Sequence, residues 1–565
     1  MHTVRRREVR IMQKNKRQNV KNVRSVIRQT VTGYAGLSLG IVLAVAGAIV
    51  TALLPPWILG SIVDTITAGN AVPVALVILY FAFTVLTGLT ESLREGLLTV
   101  FGQKITHALR SSMMEKYTNL TAGELTKQEP GTIVSRFVGD VDTVENLFTS
   151  GIISMFADAC KIISILVVIW LKNRGLAIVL LVLLPFLYWF TRTVQKNMLK
   201  AQIENRRAVG RASGHVPETL HNIRTIHTLG KERYMEQRYD EYIAESYRAV
   251  DRTNFYDAIY SPVILILNAI VVAVVMLFSA SGNARVLTLF GMSAGTAVAV
   301  INYISQIFTP VESLGMEIQT IQSAVAGVHR INEFYALEEL PEKNSGVKPA
   351  EPQNRPENPF VELQNVTFAY EDDSRKILHH LNFQVYPGEQ VTLSGRTGAG
   401  KSTVFKLLLG LYQPEEGKVL MQGRDAFQIP EHEKRSLYGY VEQTFHRVPG
   451  TVKDQITLYD DSFTMEEVRE AARIAGLDAT IEQLEKGYDT LCTSEIFSQG
   501  QWQLLSIARA AVAKPKLLLL DEITANLDAQ TEEEVLQALK RASEGRTVIS
   551  ISHRVNAETG RIINI

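Results

Sequence analysis

The run Gly395-Arg396-Thr397-Gly398-Ala399-Gly400-Lys401-Ser402-Thr403 sets three glycines ahead of a lysine and two hydroxyls. Such a run can hold phosphate. The glycines let successive backbone N–H groups curl around phosphate oxygens. A lysine at this spacing reaches the β- and γ-phosphates, and the serine hydroxyl after it takes Mg²⁺. Val391 to Ser394 reads as a strand and Thr403 to Leu411 as a helix, so a helix N-terminus adds its positive end to the cradle. The strand–loop–helix order makes this a P-loop, with Gly395 to Thr403 as its nucleotide-binding residues.

Farther along, Lys516 is followed by four leucines and then by Asp521 and Glu522. A buried strand ending in two carboxylates suits nucleotide hydrolysis. Asp521 can hold Mg²⁺ through water, and Glu522 can polarise the attacking water. Thr547 to Ser552 reads as another buried strand, and His553 at its end falls near the place of a γ-phosphate. A second anion-binding helix start is written at Ser498. Serine is a good N-cap, Gly500 lets backbone come close, and Gln501 to Ala511 reads as a helix. One domain cannot bring both cradles to one γ-phosphate if they face different ways. Two domains packed head to tail can.

The elements that position these residues form an α/β domain. From Phe360 to Tyr370 the pattern has period two and reads as a strand, and strands alternate with helices from there on. Residues 341–359 hold five prolines and no aromatic, a linker composition. Everything before the linker has another character. No charged residue occurs in 29–63, 65–90, 258–284 or 286–311, and 175–191 is a shorter run of the same kind. A helix needs about 20 apolar residues to cross a ~30 Å hydrocarbon core. Six spans are expected near 33–60, 71–93, 152–171, 175–195, 258–281 and 286–310. The segment 152–171 carries Asp158 and Lys161, three apart on one helix face, and a mutual or interhelical ion pair is expected there. The long segments 94–150 and 192–257 are rich in lysine and arginine, as is the N-terminus, where ten of the first 28 residues are basic. The positive-inside rule puts all three in the cytoplasm. The basic N-terminus reads either as an amphipathic interfacial helix or as a solvated tail beside anionic lipid. It is not a cleavable signal peptide, because a full span follows it.

Over 565 residues, 58 Lys+Arg balance 58 Asp+Glu, and nothing global points to nucleic acid. Two cysteines exclude a disulfide framework and a four-cysteine zinc site. A soluble P-loop ATPase is disfavoured by the uncharged runs.

With these residues in view, the chain resembles an ATP-binding cassette (ABC) transporter half-subunit of the exporter type, from about residue 30 to 563. The resemblance implies a membrane protein: a six-helix transmembrane domain of the type 1 exporter fold, then an α/β P-loop nucleotide-binding domain. Its bounds are expected at 1–32 for the basic segment, 33–335 for the membrane domain, 336–358 for the linker and 359–565 for the nucleotide-binding domain, with a short C-terminal end. Tyr370 matches the aromatic that stacks on adenine, and Gln443 the glutamine that senses Mg²⁺. Phe497-Ser498-Gln499-Gly500-Gln501 matches the signature motif, usually LSGGQ, so Ser498, Gly500 and Gln501 join the nucleotide-binding residues. Asp528 matches the loop between two cassettes, and His553 the switch histidine. Gly131 to Arg136 with Asp140, and Glu218 to Ile226, match patterns in the two cytoplasmic loops. The resemblance implies ATP and Mg²⁺, with Glu522, His553 and Gln443 catalytic and Ser402, Gln443 and Asp521 on the metal.

The implied activity is ATP hydrolysis driving transport across the cell membrane, most simply export of an amphipathic small molecule, lipid or peptide. An ATP-gated channel or regulator, or an importer, is the alternative on the same scaffold. The implied partner is a second half-transporter in the bilayer. A heterodimer is favoured over a homodimer, because Gln499 replaces the first signature glycine while the P-loop and Glu522 are intact. The stretch from Thr490 to Phe497 is two residues shorter than the family's, which leaves Glu495 a poor match for the usual glutamate there. Candidate cavity-facing groups are Asn268, Asn302, Tyr303 and Gln306, with Glu91 and Arg94 nearer the cytoplasm.

Overall fold

The computed structural model describes residues 21–279, 293–341, 358–370, 375–523, 527–551 and 560–565. The chain forms two compact units. One comprises the chain to Thr118 with Glu129–Leu337, the other Asn119–Gln128 with Glu338–Ile565.

The first unit is helical: α1 (Val23–Gly33), α2 (Ala35–Thr67), α3 (Val74–Thr118), a broken segment from Pro130, α4 (Ile152–Lys172), α5 (Arg174–His221), α6 (Glu232–Ser279) and α7 (Ala294–Ala336). Among the described residues, α2, α3 and the segment Pro130–Lys172 are long and apolar enough to cross a membrane. Part of the expected span 286–310 lies outside the described residues, as does the N-terminal stretch 1–20. Of the basic N-terminus, residues 23–33 do form a helix. The Asn22 side chain caps it by accepting from Ser25 N at 2.8 Å, and Val23, Val26 and Thr30 are buried.

Two π-helical turns, Arg136–Asp140 and Leu147–Gly151, interrupt the approach to α4, and Gly151 leaves helical geometry at φ −104°, ψ −101°. This segment runs antiparallel to α7, and three contacts fix the register. Arg330 Nε donates to both Asp140 carboxylate oxygens at 3.0 Å. Gly327 lies against Thr143, and Gly151 against Ile321. At the other end of α7, Asp64 accepts from Gly295 N and from the Ser293 hydroxyl, both at 2.7 Å. A Cβ on Gly295 would collide with Gly60 O, so the two glycines let α2 and α7 touch backbone to backbone.

The expected Asp158–Lys161 ion pair is not found among the described contacts. Asp158 also lies within electrostatic reach of Glu317 of α7. Tyr303 of α7 donates its hydroxyl to Leu53 O at 2.5 Å, and Asn302 donates to Val298 O at 3.0 Å. Both are therefore engaged in bonds to helix backbone. Arg94 lies 3.3 Å from Glu91 on the same helix, and Gln306 Oε1 is buried without a partner. The side chain of Asn268 lies outside those described.

The second unit contains two sheets. The antiparallel one has the order β2 (Leu378–Val385), β1 (Val361–Phe368), β4 (Glu416–Met421), β5 (Arg424–Asp425). The parallel one has the order β6 (Tyr438–Val441), β7 (Leu517–Asp521), β8 (Thr547–Ile551), β3 (Gln390–Ser394), β9 (Arg561–Asn564). Helix α8 (Lys401–Leu408) follows β3. Farther on come α9 (Met465–Ala475), α10 (Gln499–Ala511) and α11 (Ala529–Ser543). Val391, Leu393, Leu517, Leu519 and Ile549 are buried, as expected for strands covered on both faces. β1 stops at Phe368, two residues before the expected Tyr370. Helices α8 and α10 each start two residues before expectation. For α10 the reason is local: Ser498 is the N-cap, and the Gln501 side chain accepts from the Ser498 N–H at 2.9 Å, closing a capping box.

Residues 119–128 belong to this second unit through backbone bonds. Thr121 N donates to Glu338 O at 3.1 Å and Leu340 N to Asn119 O at 2.8 Å, around a bridge between Leu120 and Glu339. The short helix Ala122–Lys127 brings Thr126 Oγ1 to 3.4 Å from the Tyr412 hydroxyl.

Candidate functional site

The chemistry gathers at the C-terminal ends of parallel strands, where α/β sheets place their ligands. β3 ends at Ser394 and the glycine loop follows. Gly400 has φ +100°, and a Cβ there would sit 2.6 Å from Leu378 Cδ2, so glycine is what closes this turn. Helix α8 begins at the next residue. Lys401 is 5% exposed, and its Nζ donates to Gly395 O at 2.8 Å and Arg396 O at 3.2 Å. The ammonium thus lies inside the curl of the loop, among carbonyls. Arg396, Thr397, Gly398 and Ser402 are exposed, Ala399 is half-buried and Thr403 is buried. The Tyr370 hydroxyl lies 3.2 Å from Thr403 Oγ1, and Lys406 Nζ stands 5.3 Å from the centroid of its ring. Tyr370 is therefore beside the first turns of α8, with Phe368 and Tyr412 packed edge-on around it.

β7 ends in the two carboxylates. Asp521 accepts from the Tyr440 hydroxyl at 3.2 Å. Burial first, and then the negative charge of Glu522, push its carboxyl above the usual aspartate range, against the opposing pull of that hydrogen bond. A nearby cation would relieve the penalty. Glu522 takes a positive φ of 45°, uncommon outside glycine, and accepts from Gln443 Nε2 at 3.3 Å. Gln443 is held in turn, because its backbone oxygen accepts from Gln503 Nε2 at 2.6 Å.

At the start of α10, Ser498 and Gln499 are exposed, Gly500 is buried and Gln501 is half-buried. A Cβ on Gly500 would collide with Thr531 Cγ2 of α11, so the glycine serves the packing of α10 on α11. Thr531 itself is fixed by Asp528, which accepts from Thr531 N at 3.1 Å and from Thr531 Oγ1 at 2.7 Å. Behind the cap, Trp502 stacks on Phe445 at 5.2 Å and meets Phe497 edge-on at 5.1 Å. Arg509 covers the Phe445 ring at 4.1 Å.

Lys401, Ser402, Tyr370, Asp521, Glu522 and Gln443 thus gather at one end of the parallel sheet, while Ser498, Gly500 and Gln501 stand at a separate helix start. His553 lies outside the described residues. Sequence reading missed Tyr440, Gln503, Trp502 and Thr531. Tyr440 could have been found, since β6 reads as a short strand leading to Gln443. The other three give no signal through spacing.

Comparison with known proteins covers both units. The profile of the ABC transporter transmembrane region matches residues 37–311, and the ABC transporter profile matches 378–525. An uncharacterized ABC transporter ATP-binding protein, YfiC of Bacillus subtilis, is 28% identical over 96% of this chain and 89% of its own length. An ATM1-type heavy metal exporter of Novosphingobium aromaticivorans is 29% identical over 90% of this chain and 83% of its own. A fatty acid ABC transporter ATP-binding/permease protein of Mycobacterium tuberculosis is 28% identical over 81% of this chain and 72% of its own. Among solved structures, a bacterial Atm1-family ABC exporter with ATP bound aligns with TM-score 0.73 and 25% identity, covering 96% of this chain and 94% of that one.

Proposed function

The chain belongs to the ABC transporters of the exporter type, membrane domain and cassette in one polypeptide, and from that premise we propose how its residues work. The activity is ATP-driven export through a multi-pass membrane domain, with the cassette hydrolysing ATP in the cytoplasm. A half-transporter of this kind works as a dimer in lipid. The loop Gly395 to Thr403 wraps the phosphates, and Lys401 turns from its carbonyls to the β- and γ-phosphates. Tyr370 takes the adenine ring on its open side. Ser402, Asp521 and Gln443 would hold Mg²⁺. Their hydroxyl, carboxylate and amide oxygens are the hard donors this ion prefers, and the penalised charge of Asp521 fits it. Bound there, Mg²⁺ supplies neutralisation of phosphate charge.

Glu522 orients the attacking water and accepts its proton, and Gln443 positions the Glu522 carboxylate. His553 contacts the γ-phosphate. Ser498, Gly500 and Gln501 close the partner's ATP site, with the Ser498 hydroxyl able to donate outward while it accepts from Gln501 N. The domain bounds we assign are 33–335 for the membrane domain, 336–358 for the linker and 359–565 for the cassette, with the N-terminal segment 1–32 and the cassette in the cytoplasm.

The observation that carries this reading is that Lys401, Asp521 and the Gln443–Glu522 bond follow the C-terminal ends of β3, β7 and β6 in one parallel sheet. Glu522→Gln tests it: MgATP binding is retained, turnover falls by at least about a hundredfold, and a closed dimer accumulates. Turnover at the parental rate, with no other competent site in the complex, refutes the assignment. A heterodimer is the preferred assembly, because Gln499 alters the helix start that serves the partner while this chain's own P-loop and Glu522 are intact. The chain purified alone is then expected to hydrolyse ATP poorly, and a cooperative ATPase from a homodimer overturns that preference.

A further inference from the structure

Gln443 stands in a stretch of chain that no regular element holds. Glu442 to Gly450 form neither helix nor strand, yet the Gln443 side chain is delivered to Glu522, to which it donates at 3.3 Å. Its place is set by contacts with other elements, and α10 supplies three of them. Gln503 Nε2 donates to Gln443 O at 2.6 Å. Two residues on, the Phe445 ring stacks on Trp502, with 5.2 Å between centroids and 24° between planes. Arg509 covers the same ring at 4.1 Å and donates through Nη1 to His446 O at 3.0 Å. Trp502 and Arg509 are seven residues apart on α10, hence on one helix face, and both can reach one ring.

The hydrogen bonds and the stack do different things. A carbonyl accepts over a broad range of directions, so the bonds to Gln443 O and His446 O tether the stretch without fixing its rotation. A stacked ring offers one face, and turning Phe445 away from Trp502 loses the contact. Of residues 443–447, Phe445 is the one whose side chain is not exposed, so the orientation of this stretch rests on it. Trp502 is braced from behind by the buried Phe497, edge-on at 5.1 Å. The far end is pinned by the buried Gln455, whose side chain accepts from Val448 N at 2.9 Å and donates to Val448 O at 2.8 Å.

We propose that Trp502 and Phe445 are positioning residues for Gln443: their stack orients the stretch from which the Gln443 side chain reaches Glu522, so that metal affinity in the nucleotide-loaded cassette depends on a tryptophan outside the metal's own ligand set. The inference rests on the site assignment above, in which Gln443 is a metal ligand. Losing an outer support costs a metal site about tenfold or more, and an aromatic pair shifts an equilibrium by up to about tenfold. Removing the stack is therefore expected to weaken the metal about tenfold. Nucleotide binding without metal should be untouched. Lys401 is seated by the Gly395 and Arg396 carbonyls, and Tyr370 by Thr403 at the start of α8.

The test titrates Mn²⁺, followed by electron paramagnetic resonance, into the full chain in lipid nanodiscs loaded with the non-hydrolysable analogue AMP-PNP. Trp502→Ala is expected to weaken Mn²⁺ about tenfold, while AMP-PNP binding in EDTA stays at the parental level. Trp502→Phe, which keeps a ring against Phe445, is expected to restore most of the loss. In a Gln443→Ala background, Trp502→Ala should weaken Mn²⁺ no further, because the tryptophan acts through that side chain. Unchanged Mn²⁺ affinity in Trp502→Ala, or an equal loss with and without the Gln443 side chain, overturns the proposal. Should Trp502→Ala lose AMP-PNP binding in EDTA and so prove misfolded, Phe445→Leu removes the other ring of the stack and is read against the same two outcomes. Gln443→Ala by itself reads the site assignment. If it leaves Mn²⁺ affinity intact, Gln443 holds no metal and both readings fall. If it weakens Mn²⁺ and Trp502→Ala does not, the positioning role alone falls.

Discussion

Gly500 sits where a signature glycine would be explained by room for phosphate, yet its nearest neighbour is inside its own domain. Alanine there puts a methyl at about half a normal carbon–carbon contact from Thr531 Cγ2. Thr531 cannot simply rotate away, because Asp528 holds both its N–H and its hydroxyl at the start of α11. Overpacking costs about 1–3 kcal/mol in well-packed sites, and disturbing an N-cap adds about 1 kcal/mol. Gly500→Ala is therefore expected to destabilise the cassette by about 3 kcal/mol, a fall of roughly 9 °C in Tm for a domain of this size. Thr531→Ser removes the offending methyl and keeps the hydroxyl that Asp528 binds. The next atoms are then Thr531 Cβ at 3.4 Å and Oγ1 at 3.7 Å, which alanine tolerates. The double variant should recover all but about 1 kcal/mol. Thermal unfolding of the full chain in detergent, followed through the cassette transition, measures both. If the double variant is no more stable than Gly500→Ala, the packing explanation is wrong. If stability returns but nucleotide trapping does not, glycine also serves the partner's phosphate.

The remaining expectations concern the membrane unit. Arg330→Ala leaves the buried carboxylate of Asp140 without its guanidinium and should cost about 2 kcal/mol, less than a fully enclosed pair because Arg330 is half exposed. Asp140→Asn combined with Arg330→Met should be milder than Arg330→Ala alone in a denaturation series. Gly295→Ala drives a methyl into Gly60 O and into the Asp64 carboxylate. It should lower Tm by more than any single deletion of the Asp64 or Ser293 side-chain bond, and an unchanged Tm refutes the backbone contact.

The cassette was the more legible part because its signals are local. Gly395 to Ser402 and Leu517 to Glu522 are contiguous runs whose chemistry depends on neighbours in sequence. The membrane helices were legible through an absence, since a charge-free run needs no partner to be recognised. Contacts that cross between helices were not readable. Arg330 and Asp140 are 190 residues apart, and nothing in either segment names the other. Asp158 and Lys161 illustrate the converse. Their spacing made a mutual pair available, and none is found between the two among the described residues, while antiparallel packing of α4 on α7 brings Asp158 within electrostatic reach of Glu317. Gly500 was readable as a glycine that something approaches closely, though the sequence could not say that the something was Thr531.

The ten residues Asn119–Gln128 give the cassette a discontinuous pedigree. Asn119 and Thr121 answer Leu340 and Glu338 through backbone bonds, so a cassette excised at residue 338 leaves behind part of its own edge. Gene fusions that exchange cassettes between relatives at that single junction inherit a mismatched seam. Two further cuts, one on each side of residues 119–128, would be needed in addition to that junction to move the cassette whole. The same interlacing ties distant codons together: a substitution that shifts the backbone near Leu120 must be met by one near Glu339, although a long run of membrane helix is written between them.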